Sequence, residues 1–144
     1  HYNEERDIYA YIDDVGFEVI GNVNLYNPKT GLSQKVTSYD YGGQDPTVKK
    51  IAWFSENQLL MIVGYASGTV TVGGSVNVLF TDTGVIQELI VPGQMQEIID
   101  IVKPDGGSGS IIFVVAEWDE NFMEYESFTL EYGYSDISRM IETE

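Results

Sequence analysis

The side chains able to do chemistry in this chain are almost all carboxylates. It carries 23 Asp and Glu against 7 Lys and Arg, with one histidine and no cysteine. Without a thiol, disulfides, thiolate catalysis and Cys-ligated zinc or iron–sulfur centres are excluded. The histidine is His1, at a terminus, so a buried imidazole base for a Ser–His pair and a His-rich metal site are set aside too. The run Gly106-Gly107-Ser108-Gly109 lacks the Gly-Lys-Ser/Thr ending and helix start of a phosphate loop, and reads as a flexible hairpin loop.

Two carboxylate chemistries remain open. Glycoside hydrolysis needs a pair of acids flanking the scissile bond, and Glu117, Asp119 and Glu120 surround Trp118. In so acidic a chain such a cluster also arises by chance, as a solvated edge strand. Ca²⁺ takes hard oxygen ligands and needs no histidine. Asp13-Asp14 and Asp119-Glu120-Asn121 are the candidate clusters, and neither has the spacing of an EF-hand loop. No other cofactor is expected.

Aromatic residues give a second line of function. Tyr39, Tyr41, Tyr65, Trp118 and Tyr125 fall at strand ends or loop rims, where an apolar ring with a polar tip suits recognition of a peptide or a sugar. Cross-strand packing is the plain alternative. The expected contact face combines Tyr65 and Trp118 with the acids Asp119 and Glu120. The competing outcome is a Trp118 packed beneath the C-terminal helix.

The elements that must position these residues are strands. Period-two patterns rich in Val, Ile, Tyr, Phe and Thr cover 7–11, 17–26, 35–39, 48–54, 59–65, 69–80, 85–91, 97–102, 111–118 and 124–132. The 97–102 segment is equally compatible with a helical turn. Asn27-Pro28-Lys29-Thr30-Gly31 and Thr81-Asp82-Thr83-Gly84 each place a glycine where a hairpin needs positive φ. Gly42-Gly43 and Gly73-Gly74 read as bulges or tight bends. A single short helix is expected over 135–142, capped by Ser135. Alternation within the apolar runs predicts a core containing Trp53, Leu60, Ile62, Val78, Ile112, Val114 and Phe128.

An internal repeat organises these strands. Gly21, Val23, Asn24, Thr30, Gly31 and Gln34 align without a gap on Gly74, Val76, Asn77, Thr83, Gly84 and Gln87, at a constant offset of 53 residues. Gly43-Gln44 with Val48 and Ile51 echoes Gly93-Gln94 with Ile98 and Ile101, and Leu59–Val63 echoes Ile111–Val115. The expectation is one all-β domain spanning 1–144, with blade-like antiparallel four-stranded units at about 8–54 and 59–103 and a partial third at 110–132. Two units and a fraction cannot close a propeller, so an open stack or a sandwich must result.

The net charge of −16 repels phosphate backbones and anionic lipid, which excludes nucleic acid as a partner and leaves solubility, salt adaptation or a cationic partner. No apolar run reaches the length of a membrane span. The chain opens at His1 rather than Met and reads as a trimmed or mature fragment, so the lack of an export signal carries no information.

The stretch Lys49-Lys50-Ile51-Ala52-Trp53, Leu59-Leu60, Gly64-Tyr65, Gly68-Thr69 and Gly73-Gly74 resembles a domain of unknown function found in exported proteins and lipoproteins of Gram-positive bacteria. Thr83-Gly84, Trp118-Asp119-Glu120-Asn121 and Glu124-Tyr125 agree with the same pattern, which spans Val48 to Glu131. A more distant likeness is to the propeller blades of Tol-system and WD-type proteins. The resemblance implies a β fold and an extracellular or envelope location, and implies no activity. The expected function is a noncatalytic binding or scaffold module contacting protein or glycan. The alternatives are a carboxylate hydrolase acting on glycans and an acidic inhibitor of a basic partner.

Overall fold

The computed structural model describes residues 1–14, 19–40, 46–66, 73–104 and 109–142. The described chain is all-β, closed by one short helix. The strands are β1 (Tyr2–Asn3), β2 (Ile8–Ile12), β3 (Val23–Asn27), β4 (Leu32–Lys35), β5 (Pro46–Trp53), β6 (Gln58–Tyr65), β7 (Ser75–Phe80), β8 (Ile86–Ile90), β9 (Gln96–Val102), β10 (Ser110–Trp118) and β11 (Tyr125–Gly133), followed by α1 (Tyr134–Glu142). They form three antiparallel meanders in chain order: β1-β2-β3-β4, β5-β6-β7-β8 and β9-β10-β11. The sequence unit starting at 59 begins with β6, whereas the second sheet begins one strand earlier, with β5. A sequence period carries no phase, and hydrogen bonding decides where each sheet starts.

The sheets stack through two cores. Ile8, Ala10 and Val23 of the first sheet pack on Val48, Ile51, Trp53, Leu59, Met61 and Leu79 of the second. Leu60, Ile62, Val76 and Val78 pack on Ile98, Ile111, Phe113 and Val115 of the third, with Ile137 of α1 closing the margin. Alternate residues of β6 thus serve opposite cores, which is why Leu59–Ile62 can be apolar throughout. Each such side chain, fully withdrawn from water, contributes about 1.5–3 kcal/mol before entropy is counted.

Four of the seven expected core residues are buried: Trp53, Leu60, Ile62 and Val78. Three are not. Ile112 and Val114 are half-buried, because among the described residues the third sheet has a neighbouring sheet on one side only and that side takes Ile111, Phe113 and Val115. Phe128 stands opposite Val115 yet remains 39% exposed.

Strand limits also moved. Residues 36–39, expected as strand, leave the ladder after Lys35: the Asn22 side chain takes over, with Oδ1 accepting from the Tyr39 N–H (2.7 Å) and Thr37 Oγ1 (2.7 Å) and Nδ2 donating to the Tyr39 carbonyl. Residues 19–22, also expected as strand, precede β3, which starts at Val23; there the Asn22 N–H donates to the Asp13 carboxylate (2.9 Å). Residues 17–18 and 69–72 of two expected strands, with Tyr41, Gly42-Gly43 and Gly106–Ser108, lie outside the described residues. Residues 97–102 are strand. α1 starts at Tyr134, and Asp136 rather than Ser135 caps it: its Oδ2 accepts the Gly133 N–H at 2.9 Å, its charge suiting the helix N-terminus.

The two hairpins named by the repeat share their geometry. Asn24↔Lys35, Leu25↔Gln34 and Tyr26↔Ser33 in β3–β4 correspond, rung for rung, to Asn77↔Glu88, Val78↔Gln87 and Leu79↔Ile86 in β7–β8. The turns also match: Gly31 N–H donates to Asn27 O and Gly84 N–H to Phe80 O, both at 2.8 Å, with φ of 71° and 77° at the two glycines.

Candidate functional site

The candidate site forms where the second and third sheets are joined by backbone. Gly74 N–H donates to Ile98 O (3.0 Å) and Ile98 N–H to Gly74 O (2.9 Å). A side chain cannot fit there: a β-carbon on Gly74 would overlap the Val63 carbonyl, one on Gly73 the Ile98 carbonyl, and one on Gly64 the Gly73 carbonyl. A related joint links the first and second sheets, where Val48 N–H donates to Gly21 O (3.1 Å) and Gly21 N–H to Thr47 Oγ1 (2.6 Å). The Gly-Gly at 73–74 is therefore a close backbone approach, and its effect is to bring the end of β6 against the start of β9.

That approach shapes a cleft of ≈ 470 Å³. Pro46, Val63, Tyr65, Val91 and Pro92 supply apolar walls, and Ser75, Glu88, Gln96 and Glu97 supply the polar groups. Tyr65 is 48% exposed at its mouth. Glu97 is buried, and its Oε2 accepts the Trp118 indole N–H at 3.1 Å. Lys49, at a bulge in β5 where the register skips from Val48 to Lys50, lies within electrostatic reach of Glu97. Burial pushes the Lys49 amine below its usual value, and the Glu97 carboxylate pulls the other way without cancelling it.

Trp118 lines a second, smaller hollow of ≈ 320 Å³ with Glu117, Asp119, Glu124, Tyr125 and Glu126. Its ring meets Tyr125 edge-on at 4.9 Å, so its partners are Glu97 and Tyr125. Tyr65 thus lines one hollow and Trp118 the other, and Glu97, which lines the first, is hydrogen-bonded to Trp118 of the second. The acids beside Trp118 differ in role. Asp119 Oδ1 accepts the N–H groups of Asn121 and Met123, both at 3.1 Å, which holds the β10–β11 turn where Phe122 has φ of 56°. Its carboxylate is committed to the turn. Glu120 is exposed on the same turn.

Asp13, a candidate calcium ligand, is committed likewise. Its oxygens accept from Asn22 N–H (2.9 Å) and Asn24 Nδ2 (3.0 Å), and Lys35 Nζ lies 3.5 Å away. Burial pushes its pKa up, but these hydrogen bonds and the lysine outweigh it and leave the carboxyl below its usual value. Asp14 is exposed beside it. Among the described residues, no three Asp, Glu or His side chains converge to hold an ion.

One carboxylate pair does face itself. Glu117 and Glu126 are directly opposite in the β10–β11 register, and Gln96 Nε2 reaches Glu117 Oε1 at 3.5 Å. Both acids are exposed.

Glu97 and Gln96 were missed from sequence. The available signal was the repeat itself: Glu97 occupies the place of Thr47, so a buried charge replaces a hydroxyl at a joint that otherwise recurs.

Comparison with known proteins agrees with this architecture. The profile of DUF4652, a domain of unknown function, matches residues 13–130. No curated protein matches the chain. A solved structure described as a conserved lipoprotein from Clostridium novyi NT has the same fold, with a TM-score of 0.78 at 22% identity over 92% of this chain and 84% of that one.

Proposed function

Given that the chain belongs to the DUF4652 family, we propose that it is a noncatalytic binding module of the bacterial cell envelope, acting as one domain over 1–144 and contacting protein or glycan. The observation that carries the reading is the junction at Glu97: a buried carboxylate that fixes the Trp118 ring and lines the Tyr65 cleft. Held in this way, an aromatic side chain loses little freedom when a ligand arrives, which is what makes aromatic anchors effective. The envelope location draws support from the lipoprotein description of the Clostridium novyi NT neighbour. Tyr65 and Trp118 serve as anchors, Glu97 as the positioning residue, and Glu120 as a rim charge. The turn-bound Asp119 acts by holding that rim in place.

The test is a binding screen of envelope glycan fragments and peptides against the wild type, Tyr65→Ala and Trp118→Ala. For a ligand found with the wild type, each substitution should weaken binding about tenfold or more. Equal affinity in all three proteins would place the contact elsewhere.

The facing pair Glu117 and Glu126 favours a second reading, a carboxylate hydrolase acting on glycans. Turnover of a glycan by the wild type, abolished in Glu117→Gln and in Glu126→Gln, would replace the binding reading with that one.

A further inference from the structure

Among the described strands, the third sheet is one strand short of the other two. Its β9 and β10 correspond to β5 and β6: in both pairs the register slips once, beside the residue that bonds to a glycine of the preceding sheet, Val48 in one and Ile98 in the other. β11 then corresponds to β7, and nothing among the described strands corresponds to β8. The chain turns into α1 instead, which tucks Ile137 into the second core.

The consequence is visible at Phe128. It has Val115 of β10 on one side and no described strand on the other, and keeps 39% of its surface in water.

The other sheet margins are guarded. β1 has two residues, and β4 has four and ends in Lys35. β8 is shielded by α1, with Gln87 Nε2 donating to the carbonyls of Met140 (3.2 Å) and Ile141 (3.3 Å). β5 and β9 are engaged by the glycine joints. β11 has nine residues paired to β10 without a bulge, and no proline or lysine. A long, flat, unguarded edge is a template for another strand.

Charge selects the occupant. Between Lys103 and Arg139 the sequence has no basic residue and eight acidic ones, and Glu124, Glu126 and Glu131 lie on or beside this edge. A second copy would bring the same charge to the same edge. We infer that the free edge of β11 accepts an extended, basic segment of a partner protein as the fourth strand of the third sheet. Main-chain hydrogen bonds supply the affinity, an apolar side chain of the partner covers Phe128, and lysine or arginine at the alternate positions, which face the other side of the sheet, meets Glu131.

The probes are a nonapeptide alternating valine with lysine and its counterpart alternating valine with glutamate. Affinity is read by fluorescence anisotropy, and the site by residue-resolved amide exchange. The lysine peptide should slow exchange within residues 125–133. A Glu131→Lys variant should weaken binding of the lysine peptide about tenfold or more and should gain binding of the glutamate peptide. Thr129→Lys, at an exposed position on the same face, is the second variant if Glu131→Lys does not fold, and should show the same loss. Any of four results overturns the inference: no protection in 125–133 at millimolar peptide, protection at another edge, equal affinity for the two peptides, or β11 already protected by self-association without peptide.

Discussion

In the β3–β4 hairpin Tyr26 occupies the register position that Leu79 holds in β7–β8, each facing a residue of its sheet's fourth strand, Ser33 in one case and Ile86 in the other. Leu79 is buried in the first core, whereas Tyr26 is half-buried and shares the outer face of the first sheet with Tyr2 and Tyr9, at ring separations of 6.4 Å from Tyr9 and, between Tyr9 and Tyr2, 4.9 Å. Local geometry is the same in both. What differs is whether another sheet lies above. Residue choice follows that difference: aliphatic where a neighbour packs, tyrosine where the face meets water and a ring can cover its cross-strand neighbours.

The largest test of this comparison is truncation at the shared position. Leu79→Ala should cost about 2–5 kcal/mol in urea unfolding, because the first core cannot collapse around the cavity. Tyr26→Ala should cost about 0.5–1 kcal/mol, the scale of one cross-strand aromatic pair. Similar costs would mean that burial within the stack does not govern these positions.

The joints offer the next test. Gly74→Ala and Gly21→Ala each force a β-carbon into a backbone carbonyl, that of Val63 in one and of Asp14 in the other, and should each cost about 1–3 kcal/mol. If only one of them lowers the midpoint of unfolding, the two joints are not equivalent.

The smallest effect separates the sheets by pH. Asp13 has no counterpart in the second sheet, where the repeat places Ala66. Its folded pKa lies below the usual 3.8, so its contribution is fully present above that value and is lost as pH falls through the lower folded one. The stability difference between wild type and Asp13→Ala should therefore be constant from about pH 7 to about pH 5 and shrink toward about pH 2. A difference that does not change over this range would assign the role of Asp13 to packing.

Much of the fold was legible in the sequence because it is written in alternation and in turn glycines. Gly31 and Gly84 marked their hairpins, and the family was reached from glycine and core motifs such as Gly64-Tyr65 and Gly73-Gly74. The face of β10 was not legible. Residues 111–116 are apolar throughout, so alternation could not say which side packed, and the answer depended on there being no fourth sheet among the described residues. Phe128 failed for the same kind of reason, one strand rather than one sheet being missing. Of the candidate site, the aromatics Tyr65 and Trp118 were visible as rim residues. Glu97 was not, since its role depends on a backbone crossing between sheets that no local pattern encodes.

The meander order also shapes how the molecule is assembled. Every described strand pairs only with its neighbours in the chain, and each glycine joint reaches no further than the strand opening the next sheet. Little loop-closure entropy stands in the way of any one pairing, so for an all-β chain the fold is kinetically undemanding. A nascent chain released N-terminus first can complete its first sheet before the second has emerged, and each finished sheet then offers the surface on which the next condenses.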